Sequence, residues 1–426
     1  MFLTSQAISD SLEEGLQQWH FYSPAHVRIF DAVSDLYQAG QPVDLVTVAE
    51  KLRSGEALKA IGGEDALIDI QASTPVAGHA AQYARIVINH ALLRRLIEKA
   101  HEVIKIGYSS PEDVGEAIDE AEAEIFAATQ ERLTDSAEHI SKLLVQSLDR
   151  MEMLYEKKED ITGIPTGFTG YDKLLAGLQP SNLIIVGGRP SVGKTSFALG
   201  ISLHVAKNTD KSVLYFSMEM SKLELAQRMV AAEAQVDYTR VRTGQLREQD
   251  WMKVTNAMSR LRNANIWIDD SPALTTMEVR AKARRYSNSE NLGLVVIDYL
   301  QIMTPYGKQR DNRAVEVGEM SRNLKILARE VDSPVLALSQ LSRGLESRTD
   351  KRPLLSDLRE SGSIEQDADV VTFLYRDDMY NDESPDKGLA EIIVAKHRMG
   401  PVGRVKMRFT PELSRFTNID TDGWAA

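Results

Sequence analysis

The sequence predicts an α/β chain, a mostly parallel sheet flanked by helices, preceded by a smaller all-α region and a linker helix. Three observations carry this. After about residue 166, short apolar runs rich in β-branched residues alternate with helical stretches. A glycine-rich octapeptide follows the first of those runs. Upstream, apolar residues recur instead at three- and four-residue spacing, the period of an amphipathic helix.

The 426 residues are enough for two or three domains, and 43% hydrophobic with 26% charged residues is the balance of a soluble globular protein. No apolar run approaches the roughly 18 to 20 residues that span a bilayer, and the opening MFLTSQAISDSLEEG lacks the basic-then-apolar pattern of a secretory signal. Interior, cytoplasmic residence and no membrane partner are the expectation. Cysteine is absent, which excludes disulfides, thiolate zinc sites and cysteine nucleophiles. The eight histidines form no HxxxH or HxH cluster, so a dedicated transition-metal site is not expected. A net charge of −12 does not exclude a polyanionic partner, because phosphate binding follows the local field in a groove and not the total.

Residues 1 to about 130 read as a helical domain, with AAQYARIVINHALLRRLIEKAHEVIKIG (80–107) as its longest amphipathic stretch. Ser23-Pro24 and Ser110-Pro111 have the form of helix starts, a capping hydroxyl followed by proline in the first turn. The segment 131–165 reads as a linker. It holds one more amphipathic helix, SAEHISKLLVQSLDRMEMLYEKK, followed by the exposed-looking tract EDITGIPTG. Such a helix must bury its apolar stripe, either on its own domain or on a neighbouring subunit.

From 166 to 426 the runs NLIIVG, SVLYFS, NIWID, LGLVVID, PVLALS, DVVTFLY and AEIIVA are apolar at nearly every position. That pattern predicts strands buried on both faces of a largely parallel sheet, with sites at their carboxyl ends.

The octapeptide Gly188, Arg189, Pro190, Ser191, Val192, Gly193, Lys194 and Thr195 fits GxxxxGK[ST]; it is followed by Ser196 and a helix-forming stretch. Glycines let backbone N–H groups turn in around phosphates, and the helix N-terminus adds positive dipole. Lys194 then bridges the β- and γ-phosphates of ATP, and the Thr195 hydroxyl ligates Mg²⁺. Asp298, at the tip of LVVID, is the expected second holder of Mg²⁺. Glu219, read as ending the next strand in VLYFSMEM, is the candidate to orient the attacking water, against the alternative of a helix-start acid. Gln340, closing VLALSQ, is either a γ-phosphate sensor or a turn cap.

The ordered set GRPSVGKT, SMEM, VVIDYLQ, ALSQLSR, DLRESGSIEQDAD and AKHRMGP resembles the bacterial replicative helicases of the DnaB family, strongly from about 160 onward. FYSPAHVRIF, PVDLVTVAE and the 80–107 helix extend a weaker likeness upstream. The resemblance implies a RecA-like ATPase domain assembled as a homohexamer around single-stranded DNA, with a primase and a helicase loader as further partners and movement 5′ to 3′. It implies Glu219 as the catalytic carboxylate, Arg228 as support to the site, and Gln340 as the link from nucleotide to DNA. Lys396 and Arg398 would reach the neighbour's ATP, Arg398 as arginine finger, against the alternative of a solvated basic hairpin; a planar, always-charged donor supplied in trans makes hydrolysis depend on assembly. Arg359, Glu360 and Gly362 are the implied DNA contacts, where backbone N–H groups can hold phosphate oxygens without reading bases. Arg343, Arg348, Lys351 and Arg352 either line the same channel or form a solvated loop.

This sequence departs from the family in its opening, whose first twenty residues match poorly and lack most of a usual first helix; the symmetry of a collar is left open. Two other classes share the observations: an ATP-dependent strand-exchange protein on the same fold, and a non-catalytic helicase-like scaffold or inhibitor.

Overall fold

The computed structural model describes residues 4–54, 57–73, 77–109, 140–157, 161–303, 313–358 and 362–419, with a few positions between 114 and 125. Two compact units result, Met1–Leu148 and Asp149–Ala426.

The first unit is helical among its described residues. Helices Ser5–Glu13, Pro24–Gln38, Leu45–Ser54, Gly63–Ala72 and Ala80–Tyr108 are its main elements. Ile29, Val33 and Leu36 fall on one face of Pro24–Gln38 and join Ile8, Val48, Leu52 and Leu67 in a common core. Pro24 opens its helix as expected, but the Ser23 hydroxyl makes no capping hydrogen bond. The other expected start, Ser110-Pro111, lies outside the described residues. Ala80–Tyr108 realises the predicted 80–107 helix, and buries only small side chains, Ala80, Ala84 and Ala91. Its larger residues Leu93, Ile97 and Ile104 are exposed. The helix expected within the linker spans Ile140–Lys157 and crosses the division between the two units.

The second unit is a nine-stranded sheet with helices against it. Its strands are β1 Leu183–Gly188, β2 Ser212–Ser217, β3 Ile266–Asp269, β4 Leu292–Asp298, β5 Val335–Gln340, β6 Val370–Tyr375, β7 Leu389–His397, β8 Gly403–Thr410 and β9 Arg415–Thr417. Their order is β3-β2-β4-β5-β1-β6-β7-β8-β9. The first six positions are parallel, and the last three strands add antiparallel. Every residue of β1, β2, β4 and β6 is buried, as continuous apolar runs require. Strand β3 departs from the expectation: it is the sheet edge, none of its residues is fully buried, and Trp267 is exposed. Separate apolar layers cover the two faces, one around Phe216, Val295, Leu324 and Phe373, the other around Tyr171, Phe197, Tyr215 and Phe416.

Register sets the functional edge. Gly188 pairs level with Gln340, and Ser217 level with Asp298. The last residues of β1, β2, β4 and β5 therefore come out on one side of the sheet.

Candidate active site

At that edge the chain leaves β1 through the octapeptide and enters the helix Lys194–Asn208. Gly193 sits at φ 109°, a left-handed conformation in which a side chain is strained. Space is also tight there. A Cβ at Gly193 would lie 3.0 Å from the Phe416 ring and 3.1 Å from Phe409. The tight turn leaves the Lys194 ammonium folded back on its own loop, donating to the Gly188 carbonyl at 3.0 Å and the Arg189 carbonyl at 3.2 Å. Burial pushes the Lys194 amine below its ordinary range, while the charges of Asp298 and Glu219 pull it back up.

Thr195, one residue into the helix, donates its hydroxyl to Asp298 Oδ2 at 2.8 Å. The Tyr215 hydroxyl donates to the same oxygen at 3.1 Å. Burial raises the Asp298 carboxyl above the ordinary aspartate range, against the opposing pull of these two donors and of Lys194. Tyr215 is pushed up as well by burial, so it stays a donor. The sequence pattern did not single out Tyr215, because a tyrosine inside an apolar strand reads as core.

Glu219 lies two residues beyond the end of β2 and not on its last residue, in the bend before helix Lys222–Ala234. That helix is capped by Ser221 and Glu224, each bonded to the other's backbone. The alternative of Glu219 as a helix-start acid thus has another occupant. Glu219 is exposed, yet near enough to act electrostatically on Lys194, Asp298 and Tyr299.

Arg228, on the helix Lys222–Ala234, stacks over the Tyr238 ring at 5.0 Å and its charge reaches Tyr215. Its Nε is buried with no hydrogen-bond partner among the described residues. With Ser196, Leu199, His204 and Phe416 it lines a crevice of about 310 Å³ beside the loop. Gln340 closes β5 as expected, and Gln301 holds its backbone: the Gln340 main-chain N–H donates to Gln301 Oε1 at 3.2 Å, and Gln301 Nε2 donates to Ser339 Oγ at 2.8 Å. Gln301 is a second residue the sequence reading missed.

Lys396, near the end of β7, and Arg398, just past it, are not free in the single chain. Lys396 donates to the Glu365 and Gln366 carbonyls. Arg398 donates to the Gln366 carbonyl and to Asp369 Oδ1 at 3.4 Å. Both side chains thus rest on the carboxyl end of the helix Gly362–Asp367. Gly362 begins that helix, and Arg359 and Glu360 lie outside the described residues. Of the basic run, three side chains have internal partners: Arg348 with Asp357, Arg352 with Glu391 at 2.7 Å, and Lys351 over the Tyr380 ring at 5.1 Å. Arg343 is exposed. A simple solvated loop fits Arg343 but not the other three.

A hydroxyl and one carboxylate at 2.8 Å form a hard-oxygen pair suited to Mg²⁺, which takes few protein ligands and keeps phosphate and water oxygens for the rest. No group of three or more metal-ligating His, Cys, Asp or Glu side chains occurs among the described residues. The loop, the orphaned guanidinium nitrogen and this pair together fit a nucleoside triphosphate with its metal ion.

The comparisons agree. The DnaB-like helicase C-terminal domain model matches residues 163–418, and the DnaB-like helicase N-terminal domain model matches 1–89. This chain belongs to the DnaB-like replicative helicase family. It is 48% identical over 400 residues to the replicative DNA helicase DnaC of Bacillus subtilis, covering 94% of this chain and 88% of the relative. It is equally similar to DnaB of Geobacillus stearothermophilus, at 48% identity with the same coverage. Among solved structures, a DnaB-like replicative helicase described with its interactions with primase superimposes at a TM-score of 0.77, with 34% identity over 97% of this chain and 99% of that one. The ATPase domain of G40P matches at 0.64, with 39% identity over 67% of this chain and all of that one. As a member of this family the chain is an enzyme, an ATP-dependent DNA helicase, which sets aside the scaffold and strand-exchange alternatives. No helix among the described residues is long and apolar enough to cross a membrane.

Proposed function

We propose that the protein works in the cytoplasm as a homohexamer that encircles single-stranded DNA, moves 5′ to 3′ on it and unwinds duplex at the replication fork. The observation that carries this is the Thr195–Asp298 hydrogen bond, which joins the phosphate loop to the acidic tip of β4 at one sheet edge.

In this reading backbone N–H groups from Gly188 to Ser196, with the helix dipole, grip the phosphates, and Lys194 spans the β- and γ-positions. Thr195 and Asp298 would hold Mg²⁺, which when bound would neutralise phosphate charge. Glu219 orients and polarises the attacking water. Arg228 steadies the site, and Gln340 reports nucleotide state toward the DNA. Lys396 and Arg398 leave their own chain's carbonyls and reach the neighbour's nucleotide, with Arg398 as the finger. Arg359, Glu360 and Gly362 hold the strand through its phosphates. The segment 131–165 is the linker, with Ile140–Lys157 as an assembly element: Leu144, Leu148 and Met151 are exposed and turn an apolar stripe outward for a neighbouring subunit. Primase, supported by the primase interactions of the structural relative, and a loader are the further partners.

Forked-duplex unwinding with ATP, using tails of either polarity and particle mass measured alongside, tests the reading. Unwinding only with a free 5′ tail, by a six-subunit particle, is the expected result. A lone particle without DNA-dependent turnover overturns it.

A further inference from the structure

Arg189 stands inside the phosphate loop but its side chain turns away from the phosphate-gripping face. The guanidinium donates through Nη1 to the Leu341 carbonyl at 3.0 Å and through Nε to Glu346 Oε1 at 2.8 Å, and Nη2 lies 2.6 Å from the same oxygen. The arginine side chain is only 11% exposed, whereas Glu346 is 46% exposed. The arginine is thus sandwiched, and its acidic partner is the adjustable half of the pair.

Both ends of this contact matter. On one side, the Arg189 carbonyl accepts from the Lys194 ammonium at 3.2 Å, so the backbone that carries the guanidinium also seats the phosphate-binding lysine. On the other side, Leu341 directly follows Gln340, and Glu346 lies on the short turn Arg343–Ser347, pinned by fully buried Leu345. Leu341 bridges to Leu358, and the Ser342 amide donates to the Asp357 carbonyl at 2.9 Å. Leu358 immediately precedes Arg359. A planar fork suits this geometry because it satisfies a carbonyl and a carboxylate at once, which an ammonium does less well.

We infer that Arg189 and Glu346 form a positioning pair that transmits occupancy of the DNA segment to the phosphate loop. Neither side chain is a catalytic group: that of Arg189 is held by Leu341 and Glu346. The Leu341 carbonyl contact and the Gly188–Gln340 strand register hold the loop in its resting shape without Glu346. The carboxylate adds the connection to the 343–358 segment, so its loss uncouples DNA from turnover and spares nucleotide binding. The inference rests on the helicase reading above.

The test measures ATP turnover of the full-length protein with and without single-stranded oligonucleotide, together with oligonucleotide affinity, for wild type, Glu346→Gln and Glu346→Asp. For Glu346→Gln, basal kcat and KM for ATP and DNA affinity stay within twofold of wild type, while stimulation by DNA falls at least fivefold. Glu346→Asp recovers part of the stimulation. Glu346→Gln stimulated as fully as wild type overturns this pair and leaves the helicase reading standing; a wild-type protein whose turnover ignores DNA overturns both.

Discussion

The Thr195 hydroxyl and the Asp298 carboxylate are 103 residues apart in sequence and hydrogen-bonded at 2.8 Å. That contact joins the first turn of the phosphate-loop helix to the end of β4, and Tyr215 from β2 closes on the same oxygen. Three elements thus meet on one buried carboxylate. Asp298→Ala is expected to lower kcat at least ~10²-fold, since oriented charge stabilisation of this kind is commonly worth that much. Thr195→Ser, which keeps the hydroxyl, stays within about tenfold of wild type on the same ground. Steady-state ATPase assays against Mg²⁺ concentration check both.

Glu219 has no structural duty in the adjacent cap, which Ser221 and Glu224 fill by themselves. Glu219→Gln should therefore leave thermal stability and nucleotide affinity near wild type while turnover drops ~10²- to 10⁴-fold, the range of a positioned general base. Fluorescent nucleotide titration beside single-turnover hydrolysis separates the two. Weakened binding with unchanged turnover would remove Glu219 from the catalytic role.

The proposed trans placement of Arg398 makes a prediction about mixtures. Lys194→Ala and Arg398→Ala proteins are each expected to be inactive, the second by ~10³- to 10⁵-fold, as for other arginine fingers. Mixed together, they form some boundaries that carry an intact Lys194 on one side and an intact Arg398 on the other. Turnover in the mixture should exceed the sum of the two alone. Strict additivity across mixing ratios would place Arg398 outside any shared site.

Gly193→Ala meets two obstacles at once, the positive φ and the Phe416 and Phe409 rings. Strain of this kind costs ~1–3 kcal/mol. A fall in Tm and a loss of nucleotide affinity of at least ~10-fold, which 1.4 kcal/mol produces at one site, should appear together in calorimetry and titration.

Away from the site, Glu233 bonds Lys207 at 2.8 Å and Arg260 at 2.6 Å. Burial alone would raise its carboxyl, but the two cations outweigh it and the group titrates below the ordinary glutamate value of 4.5. A depressed acid pKa means that the folded state holds fewer protons, so the stabilisation is present above that value and is lost as pH falls below it. Glu233→Gln should lose about 1 kcal/mol at pH 7, near the upper end for partly exposed pairs. The stability gap from wild type should close on acidification, as read from denaturant melts at pH 7 and at pH 3.

Much of the second unit was legible because both-face burial leaves an unmistakable apolar run: SVLYFS and LGLVVID are β2 and β4 residue for residue. Strands β8 and β9 went unread. In GRVKMRFT charged residues alternate with apolar ones, a half-exposed antiparallel pattern unlike the runs that drew attention. Gly188–Thr195, Asp298 and Gln340 were visible from spacing and strand ends. Tyr215, Gln301 and the Arg189–Glu346 pair were not, because each acts through a contact between distant segments with no local period to reveal it. The roles of Lys396 and Arg398 were recognisable only through family likeness; a basic hairpin was foreseen there, but not its grip on the helix Gly362–Asp367, a contact between distant segments.

The phosphate loop, finally, is backed by the last strand of the described fold: Phe416 lies behind Gly193, and Asn418 bonds Gly167 and Thr169 near the entry to the unit. During synthesis the loop emerges more than two hundred residues before the ring that supports it. Closure of the nucleotide pocket therefore depends on a contact of long sequence separation, the kind that slows folding because loop closure must be met first. A ribosome-bound or prematurely ended chain lacking β9 would carry the signature octapeptide without the floor beneath it.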